Sequence, residues 1–238
     1  MNRAKIMKKN REKHHTLLWT DSGFTLIELM IAMTVAGLVM YAVYSIYVAQ
    51  QKVYTAQLAV TEMQQNMRAA TNLLSYDIRM AGYDNDEGVA EILEAKAEVL
   101  GFTVDLNEDG DVADAGEIIF YDQYVSGNGV PVLGRSLTGN VSGHQPAAEY
   151  IEHLRFRYLD ADDNPTTVIA KIRTVLVDLV VRASQPDPRF TNTATYTAAD
   201  GTVLGGTAKN DHFRRRHETI RIEWRNAGNT GIAGDSGI

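Results

Sequence analysis

The chain has 238 residues, of which 45% are hydrophobic and 22% are charged, as is typical of a folded protein. It contains no cysteine, which excludes disulfide bonds and thiolate metal sites. The net charge is −7, but residues 1–23 carry six basic and two acidic side chains, so the remainder carries −11. This acidic remainder argues against nucleic-acid binding.

A long apolar helix is the first predicted element. Residues 24–49 read FTLIELMIAMTVAGLVMYAVYSIYVA, with Glu28 as the only acidic or basic side chain. As an α-helix this segment would be about 39 Å long, which exceeds the roughly 30 Å of a bilayer's hydrocarbon core. Because the basic residues precede it, we expect residues 1–23 in the cytoplasm and the rest outside. A cleaved secretory signal fits poorly, because its apolar region would be shorter and would end in small residues.

The helical periodicity continues beyond the length of a membrane span. We therefore predict a transmembrane half over 24–52 and an amphipathic half over 53–82, which ends at Gly82 and contains no proline. A coiled coil is the alternative, but the heptads with flanking charges that it needs are scarce. The apolar face needs a globular partner and consists of Val53, Ala56, Val60, Met63, Met67, Ala70, Leu74 and Ala81.

Alternating and β-branched stretches predict a β-rich globular part over 83–226. A helix followed by antiparallel strands predicts an α+β fold, in which the long N-terminal helix packs on an antiparallel sheet. Residues 185–211 form a predicted polar loop, and 227–238 a predicted flexible tail. The predicted strands lie in residues 97–106, 117–125, 150–160, 172–184 and 217–226.

The acidic loop between the first two predicted strands, DLNEDGDVADAGE, is a candidate metal site. Oxygen-bearing side chains at alternate positions followed by Gly110 match the first half of an EF-hand loop, which binds Ca²⁺. The usual closing glutamate would fall at Gly116, one residue before the glutamate that is present. A solvated acidic turn without metal is the alternative. The predicted ligands are Asp105, Asn107, Asp109, Asp111, Asp114 and Glu117.

Motifs for catalysis are not found. The histidines lack the spacing of zinc sites, and no nucleophile elbow, Walker loop or dinucleotide fingerprint occurs. The basic run 213–217, FRRRH, is interpreted as a solvated entry into the last strand rather than as a nucleic-acid site. We therefore expect a protein that is not an enzyme.

The stretch GFTLIELMIAM, residues 23–33, resembles the N-terminal signature of type IV prepilins and type II secretion pseudopilins. The resemblance implies that a prepilin peptidase cleaves between Gly23 and Phe24, and that Phe24 is then N-methylated. It also implies that Glu28 neutralises the N-terminal amine of a neighbouring subunit in a filament. Such pairing would account for the carboxylate in an apolar segment, because an unpaired buried charge is costly.

Residues 66–84 and 214–226 resemble PilW-type minor pilins. The resemblance implies a single-pass protein of the bacterial inner membrane with a periplasmic head, later found at or near the tip of a pilus. The implied partners are the prepilin peptidase, other minor and major pilins and the inner-membrane assembly platform. The alternatives are a J-type pseudopilin of type II secretion, or a tip adhesin or Ca²⁺-regulated binding module with 185–211 as its variable surface.

Overall fold

A computed structural model describes residues 23–84, 89–206 and 208–226 of the chain. The predicted basic leader, apart from Gly23, and the predicted C-terminal tail lie outside the described residues. The chain divides into two compact units, and the boundary falls between Gln51 and Lys52.

The first element, α1, is a 55-residue helix over Leu26–Met80. It ends before Gly82, which has φ +69°, a left-handed conformation that favours glycine. A Cβ atom at Gly82 would also lie 3.1 Å from the Trp224 ring, so the position has little room for a side chain. The uninterrupted helix that the sequence predicts between Phe24 and Gly82 is confirmed.

The part of α1 in the first unit is apolar on all sides. Every side chain from Leu26 to Tyr47 is exposed, and one 18-residue window has a mean hydropathy of 2.1. By length and composition this helix can cross a membrane.

The second unit contains antiparallel strands and two short 3₁₀ turns, Val141–Gly143 and Ile169–Lys171. The strands in its described residues are β1 (Ile92–Ala95), β2 (Leu100–Thr103), β3 (Ile118–Val125), β4 (Pro131–Ser136), β5 (Gln145–Glu149), β6 (Ile151–Leu159), β7 (Thr174–Arg182), β8 (Tyr196–Thr197), β9 (Val203–Leu204) and β10 (Arg215–Glu223). Strands β1 to β5 form a meander in chain order, and a second sheet has the order β10-β7-β6. Strands β8 and β9 form a two-stranded ribbon.

The predicted hairpin around the acidic loop is confirmed. Strand β2 pairs with β3, with Leu100 opposite Tyr121 and Thr103 opposite Ile118, so the acidic loop connects the two strands of a hairpin. Strand β7 pairs with both β6 and β10. The strands that the sequence did not predict are β1, β4, β5, β8 and β9. In β4 and β5, the glycine and prolines of PVLGRS and QPAAE obscure the β pattern. The strands divide into two main sheets, where the sequence suggested one.

One core joins the second half of α1 to both main sheets. Met63, Met67, Ala70, Leu74 and Ala81 are buried in it, and they contact residues of the five-stranded and three-stranded sheets. The α+β arrangement of a long helix packed on antiparallel sheets is therefore confirmed. The predicted apolar face is fully buried at Met63, Met67, Ala70, Leu74 and Ala81, whereas Val60 is half-buried against the core and Val53 is exposed.

Strand β7 lies at the centre of this packing and is buried on both faces. Eight of its nine residues are buried. On one face, Val175, Val177 and Leu179 belong to the core beneath α1. On the other face, Val180 packs against Ala198 and other residues of the β8–β9 ribbon. The predicted polar loop 185–211 therefore contributes a small cover to the sheet as well as surface.

Candidate assembly and metal-binding sites

The predicted cleavage position lies just before α1. Gly23, Phe24 and Thr25 are not helical, and the Phe24 side chain is 91% exposed. A peptide bond outside a helix and open to its surroundings can enter a peptidase site without unwinding a helical turn. The geometry at Gly23 and Phe24 is therefore compatible with the predicted processing, which stays a prediction.

The Glu28 carboxylate completes a reciprocal cap at the start of α1. The Thr25 N–H donates to Glu28 Oε2 at 2.8 Å, and the Thr25 hydroxyl donates to the same oxygen at 2.7 Å. The Glu28 N–H donates to Thr25 Oγ1 at 3.3 Å. This is a capping box, in which a threonine and a glutamate three residues later satisfy each other's backbone N–H. The T-x-x-E spacing signals this cap, but the sequence reasoning missed it.

The acidic loop rests on two buried carboxylates. Asp105 and Glu117 are 0% and 1% exposed. The Asp105 carboxylate accepts the N–H groups of Glu108 and Gly110 at 2.7 and 3.1 Å. The Glu117 carboxylate accepts two more backbone N–H groups, at 3.1 and 3.0 Å. The backbone N–H groups take the place of water as donors to the two buried carboxylates. These bonds therefore hold the loop backbone against the core.

The remaining predicted ligands meet at the exposed side of the loop. Ligand atoms of Asp109, Asp111 and Asp114 all lie within 4.8 Å of one another. Two oxygens on one Ca²⁺ ion, each about 2.4 Å from it, can be at most about 4.8 Å apart, so this spacing fits. The Asn107 amide donates to Asp109 Oδ2 at 2.9 Å and to Asp114 Oδ2 at 2.7 Å. Four of the six predicted ligands are thus brought together, and Ca²⁺ binding stays a prediction.

A buried polar cluster that the sequence reasoning missed connects α1 to the five-stranded sheet. Asp77 is 3% exposed, and its Oδ2 accepts the Tyr121 hydroxyl at 2.5 Å and the Arg135 Nε–H at 2.7 Å. Burial raises the pKa of Tyr121 above its usual 10, and the Asp77 carboxylate raises it further, so the hydroxyl remains a donor. Asp77 lies three positions after Leu74, on the predicted apolar face. This position was the signal in the sequence for a buried carboxylate.

Comparison with known proteins identifies the N-terminal segment. Residues 20–44 match the prokaryotic N-terminal methylation motif, and this match includes Gly23, Phe24 and Glu28. The chain carries a prokaryotic N-terminal methylation motif. A search of curated proteins gave no match.

Among solved structures, the type IV-like pilin TTHA1219 from Thermus thermophilus is similar to this chain at 16% sequence identity. The similarity covers 69% of this chain and 97% of that chain, with a TM-score of 0.44.

Proposed function

We propose that this chain is a filament subunit of the type IV pilin class and, more specifically, a PilW-type minor pilin. The subunit is stored in the membrane, cleaved after Gly23, methylated at Phe24 and then polymerised through α1. Its role is to help start filament assembly and to remain at or near the tip, without enzymatic activity. The methylation motif over residues 20–44 is the observation on which this proposal depends.

The exposed first half of α1 supports the proposal that the subunit is transferred from the membrane to a filament, because both surround this half with apolar groups. A helix that is apolar on all sides needs lipid or other helices around it. In the bacterial inner membrane, lipid surrounds this half and the second unit lies in the periplasm, as the basic leader suggests. In the filament on the cell surface, the corresponding helices of other minor and major pilins replace the lipid. The prepilin peptidase and the inner-membrane assembly platform are the partners during this transfer.

The position of Glu28 supports the same proposal. Its carboxylate lies in the first turn of α1, four residues after Phe24, where the helix dipole favours a negative charge. Cleavage before Phe24 would create a positive N-terminal amine in an apolar environment. A carboxylate from a neighbouring subunit would then neutralise that amine in the assembled filament.

Processing is the first experiment. The full chain is produced with an active prepilin peptidase or with a catalytically inactive one, extracted in detergent and measured by intact-mass spectrometry. With the active peptidase we expect a mature chain that begins with N-methylated Phe24. An intact N-terminus in both hosts, or cleavage after Ala49, would contradict the proposal.

Two substitutions of Glu28 separate its capping role from pairing with a neighbouring subunit. Glu28→Gln keeps the capping box, since glutamine also serves at that position, but it removes the charge. Glu28→Ala removes both. We expect both variants to be processed and inserted, and both to lose competition against the wild-type chain for incorporation into filaments. Full incorporation of Glu28→Gln would show that the carboxylate acts only as a helix cap.

Identifying the filament that contains the chain separates the minor pilin of a pilus from the J-type pseudopilin of type II secretion. Both proteins need the same processed apolar helix, so the geometry of α1 does not separate them. Mass spectrometry of sheared surface filaments is the direct measurement. Recovery with surface pili supports the minor pilin, whereas retention in the cell envelope with a secretion apparatus supports the J-type pseudopilin.

A further inference from the structure

A groove of about 700 Å³ opens beside α1 at the start of the second unit. Its apolar floor is formed by Val53, Ala56 and Val60 of the helix. They are the first three positions of the predicted apolar face: Val53 is 44% exposed, Ala56 is half-buried, and Val60 is half-buried against the core. The groove therefore has an apolar floor that this chain covers only in part.

The rim of this groove is cationic. Lys52, Arg189 and Arg214 line it together with a single carboxylate, Asp187. Arg214 pairs with Asp187 at 2.8 Å, and its guanidinium lies 4.5 Å from the centre of the Phe190 ring. Arg214, and to a smaller extent Arg189, lower the pKa of the Asp187 carboxyl, so the three cations that line the groove face one carboxylate. An occupant of this groove should therefore combine an aliphatic contact with negative charge.

The acidic loop has this combination and lies at the other end of the second half of α1. Leu106 is 57% exposed, and three exposed aspartates follow it. The loop is held next to the end of α1, because Asp105 N–H donates to the Tyr83 carbonyl at 2.8 Å and Tyr83 donates to Glu108 at 2.7 Å. About 20 to 30 helical residues separate the groove from this anchor, which is roughly 30–40 Å along the helix. A chain cannot place its own loop in its own groove.

We infer that the groove of one copy receives the acidic loop of a second copy, with Leu106 on the apolar floor and the aspartates against Lys52 and Arg189. The two surfaces are different, so the contact is heterologous and leaves a free groove on one copy and a free loop on the other. Opposite charges at the rim give such a contact its orientation. The inference rests on the proposed role as a filament subunit and specifies which surfaces of the heads meet.

The backbone of the acidic loop is already ordered in the single chain. Asp105 and Glu117 accept backbone N–H groups of the loop, so its backbone loses little freedom on binding. Preorganisation of this kind strengthens binding, because less conformational entropy is lost on association.

Single cysteines provide a direct test, since the full chain contains none. Gln57→Cys places a thiol in the groove, and Ala113→Cys places one on the exposed loop without removing a carboxylate. The two full-length variants are mixed in detergent with chelator and treated with a short bis-maleimide. We expect the mixture to give a crosslinked dimer that neither variant forms alone. The matched control pairs Gln57→Cys with Val125→Cys, which is 64% exposed outside the loop, and should give only background.

Charge reversal tests the chemistry of the contact. Arg189→Glu in the groove variant, or Asp111→Arg in the loop variant, should each lower the crosslinking yield about tenfold, and the two together should restore it. Circular dichroism verifies that each variant is folded. A yield at the level of the Val125 control, dimers of the Gln57→Cys chain alone, or insensitivity to charge reversal would overturn the inference. Processing at Phe24 is measured separately, so a correctly processed chain without crosslinks removes this contact and leaves the proposed function standing.

Discussion

Replacing Asp77 by alanine should weaken the second unit far more than a typical surface substitution does. The change removes the shared acceptor of Tyr121 and Arg135, which tie the five-stranded sheet to α1. It leaves a buried hydroxyl and a largely buried guanidinium without their partner. Both groups then bear the cost of their own desolvation.

The magnitude follows from the burial of the two partners. Loss of one member of a buried ion pair costs about 3–5 kcal/mol, but the Arg135 side chain is 26% exposed, so water recovers part of that cost. We assign about 2–3 kcal/mol to the guanidinium. The Tyr121 hydroxyl is fully buried, and leaving it unsatisfied adds about 1–2 kcal/mol. The total of about 3–5 kcal/mol corresponds to a decrease in Tm of roughly 6–20 °C for a unit of this size.

Thermal and urea unfolding of the full chain in detergent, followed by near-ultraviolet circular dichroism, measures this loss. Asp162→Ala is the matched control, because Asp162 is exposed, and it should change the free energy of unfolding by less than about 0.5 kcal/mol. A double-mutant cycle with Arg135→Ala should give a coupling energy of about 1–3 kcal/mol, so the double variant loses less than the sum of the single losses. A loss below about 1 kcal/mol for Asp77→Ala, or strict additivity in the cycle, would refute the reasoning.

Two further outcomes are expected. Burial lowers the pKa of His153 below its usual 6.5. Below about that pH, His153 binds a proton more readily in the unfolded chain than in the folded chain. The free energy of unfolding should therefore fall between pH 7 and pH 5. His153→Gln should flatten this part of the stability curve, and an unchanged slope in this variant would contradict the assignment. If the acidic loop binds Ca²⁺, the full chain should melt higher with millimolar Ca²⁺ than with chelator, and Mg²⁺ should do less. The double variant Asp109→Asn with Asp111→Asn should melt at the same temperature with Ca²⁺ as with chelator. Absence of binding heat in calorimetry of the unmodified chain would show that the loop is a charged turn without a metal site.

The sequence predicted those parts of the fold that depend on periodicity. The helical repeat located α1 to within two residues at each end, and alternation located β3, β6, β7 and β10. The burial of Asp77 was beyond this reasoning, because a polar residue on an apolar face becomes favourable only when distant strands supply Tyr121 and Arg135.

The candidate sites show the same division between local pattern and tertiary contact. The spacing of the acidic loop correctly placed it in a hairpin turn. It could not separate the two carboxylates that bind backbone N–H groups from the three that converge at the surface. The groove beside Val53 was also not foreseen, since periodicity marks an apolar face without showing how far its cover extends.

The double-sided burial of β7 restricts how residues 185–211 can diversify. Ala198 and Leu204 are 5% and 8% exposed because they shield Val180, and Asn192 is 3% exposed. The tip between Ala198 and Leu204, residues 199–203, is exposed at every position. Lineages under pressure to alter this surface would therefore accumulate changes and insertions at the tip, while the flanking positions drift slowly.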